Sequence, residues 1–90
     1  MTSVKVCDVP RLARGAVLRH DDVRDQDLLL VPERVVKLNG SGAAILALCD
    51  GQRTVADIVK ELEGRFEAQG LEPDVVEFLS EFASHGWVLA

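Results

Sequence analysis

Between Leu28 and Thr54 the chain alternates apolar runs with breakers at a spacing that admits few folds. Leu28-Leu29-Leu30-Val31 and Arg34-Val35-Val36-Lys37-Leu38 flank Pro32-Glu33, a pattern that predicts a β-hairpin. Pro at the second turn position presets φ and has no N–H to leave unpaired. In the second strand Arg34, Val36 and Leu38 share one face, and Val35 and Lys37 the other. Asn39-Gly40 then leads into Ser41, read as the N-cap of a helix. Ala43 to Cys49 offers no polar side, so this helix is expected to be buried all round. Asp50-Gly51 is expected to end it, with Gly51 in the left-handed conformation.

Ninety residues make one small domain, and a hydrophobic fraction of 48% is enough for one core. The net charge of −5 argues against nucleic acid, whose binding relies on Lys and Arg neutralising phosphate. It argues equally against an anionic membrane surface. No apolar run approaches the roughly 20 residues needed to span a bilayer. No signal-peptide core follows Met1, so a cytoplasmic location is expected. Cys7 and Cys49 form no CxxC, and Cys49 reads as a buried reduced thiol.

The remaining segments complete a strand-then-helix order. Residues 1–9 have no clear period and read as an arm that could be flexible, leaving 10–90 as the domain. Pro10 to Gly15 looks like an ordered lead-in. Ala16-Val17-Leu18-Arg19 is a strand candidate broken by His20-Asp21-Asp22. With the hairpin this gives a small three-stranded antiparallel sheet. A second helix is predicted from Val55 to Phe66, capped by Thr54 with Asp57 three residues on. Val55, Ile58, Val59, Leu62 and Phe66 fall on its inner stripe. A third starts near Pro73 and ends near His85, with Gly86 after it and Trp87-Val88-Leu89 as an apolar tail. The fold class expected is α+β.

Two features bear on function. The third helix carries Val75, Leu79 and Phe82 as a central stripe, widened by Phe78 on one side and by Val76 and Ala83 on the other. At 100° per residue this arc spans roughly 160°, wider than an ordinary surface helix needs. Either the helix is sunk deep in the core with the tail packed over it, or one edge, at Phe78, lines a groove for a partner. The strand Arg34–Leu38 is expected at the sheet edge. Its charges discourage pairing with a wrong chain, yet an open edge is also a template for strand addition.

Other chemistry is thin. His20 and His85 are isolated in sequence and read as solvated surface, and no His/Cys/carboxylate spacing suggests a metal. The acids Asp21, Asp22, Asp25 and Asp27 lie in a polar connection. Asn39-Gly40-Ser41-Gly42 has neither a Walker lysine nor dinucleotide spacing, and reads as a turn and cap. Cys49 has no base beside it. No catalytic residue and no cofactor are expected. Arg53, beside Thr54, could fix the turn between the first two helices.

The pieces Pro10-Arg11-Leu12-Ala13-Arg14-Gly15, the Arg24 region, Leu29-Leu30-Val31-Pro32-Glu33-Arg34-Val35, Leu38-Asn39, Ile45 to Val55 and Phe78-Leu79 to Gly86-Trp87-Val88 together resemble the PqqD family of pyrroloquinoline quinone biosynthesis. The likeness covers nearly the whole chain from Pro10 onward. It implies a winged helix-turn-helix fold of three strands and three helices, and a non-catalytic peptide chaperone. Such proteins bind the precursor peptide PqqA and present it to the radical SAM enzyme PqqE, which joins a Glu and a Tyr side chain. The resemblance implies that the peptide adds beside the strand Arg34, Val35, Val36, Lys37 and Leu38, in a cleft closed by the third helix. Val75, Phe78 and Phe82 are the residues expected to line that cleft, placed by topology. Two rivals remain at this point: a winged-helix DNA binder, opposed by acids on the second and third helices, and a module whose free edge pairs weakly with its own copy as a homodimer.

Overall fold

The computed structural model describes residues 4–90. Its elements run β1 (Arg11–Leu12), β2 (Val17–Asp21), β3 (Gln26–Val31), β4 (Arg34–Leu38), α1 (Gly40–Ala47), α2 (Val55–Arg65), α3 (Glu72–Ser84) and β5 (Val88–Leu89). β2, β3 and β4 form the antiparallel sheet in that spatial order, and the three helices follow. The α+β, winged helix-turn-helix-like class read from the sequence is the one observed.

The hairpin forms as its residues dictate. Val31 stands opposite Arg34, so Pro32 and Glu33 are the two turn residues. Leu29, Val31 and Leu38 are buried and Val36 half-buried on the inner face, while Val35 and Lys37 point outward. β2 runs further than expected. His20 and Asp21 do not break it, because His20 lies directly opposite Asp27 and its Nδ1 meets that carboxylate at 2.7 Å. His20 is therefore exposed but not isolated: its Nε2 also lies 3.3 Å from Asp25 and 3.7 Å from Asp22. The hydrogen bond to Asp27 raises its pKa above the ordinary histidine value, against the opposing effect of desolvation and with the charges of Asp27, Asp22 and Asp25 adding to it. Asp21 closes the turn by accepting from the N–H groups of Val23 and Arg24.

Helix α1 corrects three expectations. Its N-cap is Asn39, not Ser41: Asn39 Oδ1 accepts from the Gly42 N–H at 2.7 Å, and the Ser41 hydroxyl donates to the same oxygen. The helix closes at Ala47, where the Leu48 and Cys49 N–H groups bond back three residues to Ile45 and Leu46. Gly51 is left-handed, with φ 78°, but lies beyond the helix, where its N–H reaches the Pro10 carbonyl. Nor is α1 covered all round. Ala47 is exposed and Ala43 and Ala44 are half-buried, because a domain this small has no second layer to lay over them. Cys49 is buried as expected, and burial pushes its thiol up to about 12, so no thiolate is available there near neutral pH.

Helix α2 carries the full capping box: Thr54 Oγ1 accepts from the Asp57 N–H, and Asp57 from the Thr54 N–H. Arg53 does tie the preceding turn, through a 2.6 Å pair with Asp50. Val55, Ile58, Val59 and Leu62 are buried. Phe66, placed on the same stripe by spacing, is instead 49% exposed, since it stands at the C-cap where the helix ends. Helix α3 buries Val75, Leu79 and Phe82, with His85 as C-cap and Gly86 at φ 79°.

The lead-in and the tail meet. β1 pairs antiparallel with β5, Arg11 opposite Leu89 and Leu12 opposite Val88, a two-stranded ribbon that the sequence reading did not foresee. Of the 1–9 arm, residues 1–3 lie outside the described residues. Val4 is buried and donates to Ser80 Oγ, and the carbonyls of Asp8 and Val6 accept from Val55 and Ala56. Those two N–H groups open α2 and would otherwise lack partners. Among the described residues no helix is long and apolar enough to cross a membrane.

Two substitutions separate packing from capping. Ile58→Ala removes a side chain with no exposed surface and is expected to destabilise by about 2–5 kcal/mol. Thr54→Ala loses one cap and should cost about 1 kcal/mol, both read from urea unfolding.

Candidate functional site

An antiparallel ladder alternates between residue pairs that exchange hydrogen bonds and pairs that do not. The pair closing a two-residue turn exchanges them, so Arg34, Val36 and Leu38 aim their peptide groups at β3. The Leu38 carbonyl agrees, because the Gln26 amide reaches it from the β3 side at 2.6 Å. The peptide groups of Val35 and Lys37 therefore face away from the sheet. Among the described residues no strand lies beyond β4, and no other backbone group pairs with these two. The open edge is thus two residues' worth of donors and acceptors.

Helix α3 and the tail form a wall along this edge. Trp87 is buried, and its indole N–H donates to Glu33 Oε1 at 2.7 Å, which ties the tail to the hairpin turn. The Arg34 guanidinium lies 4.8 Å above the Trp87 ring. Phe82 meets Trp87 edge-on with centroids 5.4 Å apart, and Phe78 stacks on Phe82 at 4.2 Å. His85 stacks on the opposite side of the cluster, 4.3 Å from Trp87. At the other end of β4, Phe78 presses on the first turn of α1. A Cβ on Gly42 would stand 3.0 Å from the Phe78 ring and 3.1 Å from Asn39 Oδ1, so a larger residue there would push these groups back by a few tenths of an ångström. The wall thus runs from the hairpin turn, through Trp87 and Phe82, to Phe78 beside the end of β4.

Beyond Phe78 the wall opens into an apolar groove of about 310 Å³. Asn39, Ser41 and Ile45 line it from α1 and its cap, Asp74, Val75 and Phe78 from α3, and Phe66 and Leu71 from the connection between α2 and α3. This explains the two extra features of the helices. Phe66 is left exposed where the groove opens, and the wide arc of α3 serves both the core and the groove.

The structure brings together most, not all, of the residues singled out from the sequence. Phe78 and Phe82 sit on the wall, and Arg34 reaches it through Trp87. Val36 and Leu38 face the core on the same side as the wall. Val35 and Lys37 point to the opposite face, and only their backbone faces the open edge. Val75 is almost fully buried and touches the groove rather than the strand. Sequence reasoning missed Glu33, Trp87 and Gly42. The signal was present for Trp87: it is the only Trp in a chain with no Tyr, and a buried indole N–H needs an acceptor. No His, Cys, Asp or Glu group among the described residues is arranged to hold a metal.

The family model for Coenzyme PQQ synthesis protein D (PqqD) matches residues 28–88, which hold the hairpin, the three helices and Trp87. This chain belongs to the PqqD family. A PqqD-family relative from Azotobacter vinelandii, named PqqA binding protein, is 42% identical over 89 residues, 98% of this chain and 97% of its own. The solution structure of the PqqD truncation of Methylobacterium extorquens PqqCD, described as a functional and stand-alone recognition element for ribosomally synthesized and post-translationally modified peptides, superposes with a TM-score of 0.85. It is 36% identical, over 99% of this chain and 97% of that one. The crystal structure of PqqD from Xanthomonas campestris gives a TM-score of 0.57 at 32% identity, over 93% and 96%. The names describe binding and recognition rather than catalysis.

The Trp87–Glu33 bond makes this PqqD-family cleft sensitive to acid. The indole donor holds the Glu33 carboxyl below its usual range, helped by backbone donation and the nearby Arg34 charge. A depressed carboxyl stabilises the fold above its unfolded value of 4.5 and loses that contribution as pH falls through the lower folded value. Trp87 fluorescence is therefore expected to titrate with a midpoint below 4.5, and Glu33→Gln should abolish that transition. An unchanged transition in Glu33→Gln would assign it to another group.

Proposed function

We propose that this chain is a peptide chaperone of pyrroloquinoline quinone biosynthesis, without catalytic activity of its own. It holds the precursor peptide PqqA as an added strand on β4 and presents it to the radical SAM enzyme PqqE. The observation that carries this reading is the pair of unengaged peptide units at Val35 and Lys37 beside an aromatic wall. Family membership and the names of the relatives support it.

The energetics require both parts of the site. Two exposed residues offer four backbone hydrogen bonds, each worth about 0.5–1.5 kcal/mol net. Ordering a flexible peptide costs about 2–5 kcal/mol or more, so the rail alone roughly breaks even. Burying one apolar side chain adds about 1.5–3 kcal/mol, and the surface along Phe78 and the groove offers room for it. Affinity thus comes from the wall and alignment from the strand. The enzyme supplies the chemistry, and the chaperone raises the effective concentration of the peptide at its active site. Such a role belongs in the cytoplasm.

A DNA-binding role for the winged helix-turn-helix is disfavoured. Asp74, Glu77 and Glu81 stand exposed on α3, and Asp57 and Glu61 on α2, where they would meet phosphate with like charge.

Titration of isotopically labelled protein with the PqqA peptide is expected to shift the Val35 and Lys37 amides, the Phe78 ring and the Trp87 indole together. Phe78→Ala should weaken binding by about tenfold or more, the equivalent of one apolar anchor. Shifts confined to other surfaces would count against the reading.

A further inference from the structure

The outer face of the sheet, turned away from all three helices, has an organisation that strand addition alone does not use. The register sets Val17, Leu30 and Val35 in one row across β2, β3 and β4, and Arg19, Leu28 and Lys37 in the next. Val17 and Val35 are 49% and 57% exposed, so the first row is an apolar step standing in water. The second is flanked by two cations, neither of which has a carboxylate within 4.0 Å among the described residues. The chain has 15 acidic and 10 basic residues, yet β4 carries Arg34 and Lys37 and no acid. Of these, Arg34 is engaged on the inner side by Trp87, which leaves Lys37 free on the outer side.

A strand added antiparallel to β4 would pair directly with Val35 and Lys37, because those residues hold the outward peptide groups. Residues directly opposite share a face and interact. The guest would then extend each outer row by one side chain. We infer that β4 reads guest sequence on its outer face: Lys37 selects a carboxylate, and Val35 selects an apolar side chain two residues away. The class of ligand is an extended peptide carrying Asp or Glu and a β-branched or aromatic residue with one residue between them. Wall and groove read the intervening side chain and its neighbours, so the two faces of the guest are recognised independently. This inference rests on the strand-addition reading above and adds a chemical rule to it. A chain whose net charge is −5 repels acidic peptides at long range, so the unpaired Lys37 gives a local attraction at one guest position.

The test is selection of a random ten-residue peptide display library on immobilised wild-type, Lys37→Gln and Lys37→Glu proteins, each checked for an unchanged amide spectrum. Wild type is expected to enrich peptides with a carboxylate two residues from an apolar side chain. Lys37→Gln should lose the acidic preference, and Lys37→Glu should replace it with Lys or Arg. For an acidic peptide from the wild-type pool, Lys37→Glu should weaken binding by roughly three- to tenfold at low salt, and a matching Glu→Lys change in that peptide should restore it. Enriched peptides that bind all three proteins equally would overturn the inference and leave strand addition standing. Absence of any enrichment, with Phe78→Ala equally inert, would overturn both. Sedimentation in which Lys37→Glu alters self-association instead of peptide choice would assign the edge to a second copy and overturn the inference too.

Discussion

A buried indole with a single N–H to satisfy fixes the geometry on which the rest of this molecule depends. Trp87 lies past the end of α3, and its acceptor, Glu33, lies in the turn of the hairpin. Phe82 and His85 pack on the indole from the helix side, and Arg34 covers it from the strand side. A carboxylate acceptor makes the hydrogen bond stronger than a neutral one would be, and the guanidinium beside it adds a second attraction to the same ring. The tie sets Trp87 against the hairpin turn at one end of β4, and Phe78 meets Gly42 past the other end, so the edge strand is flanked at both ends.

The open edge is stable as an edge for a related reason. An unpaired strand invites any extended chain. Here the inviting portion is short: two peptide units, with the turn at one end and the Asn39 cap of α1 at the other. A charge stands on each face. Beside it stands the wall, with Phe78 half-exposed and Phe82 buried behind it.

Much of this was legible in the residues. Val31-Pro32-Glu33-Arg34 sets a two-residue turn without reference to anything distant, and Thr54 with Asp57 caps α2 by local bonds. Helix α3 announced its double duty through the width of its apolar arc. What could not be read depends on partners far away in sequence. His20 stays in the strand because Asp27 waits opposite it, and Asn39 displaces Ser41 as cap because the strand delivers it to the right place two residues sooner. The Trp87–Glu33 bond spans 54 residues, and the β1–β5 ribbon joins residues 11 and 89. No local pattern encodes either. Gly42 is similar: besides its own cap residue Asn39, a side chain there would meet the distant Phe78 ring, which no local pattern announces.

That ribbon has a bearing on the order in which the protein matures. During synthesis the hairpin and the first two helices have all their residues well before α3 is complete, and they can begin to assemble. The pairing of Arg11 with Leu89 and the docking of Trp87 on Glu33 must wait for residues near 90 to leave the ribosome. Until then the strand edge exists without its companion surface. The surface that flanks the edge is thus completed only when residues 11–12 pair with residues 88–89.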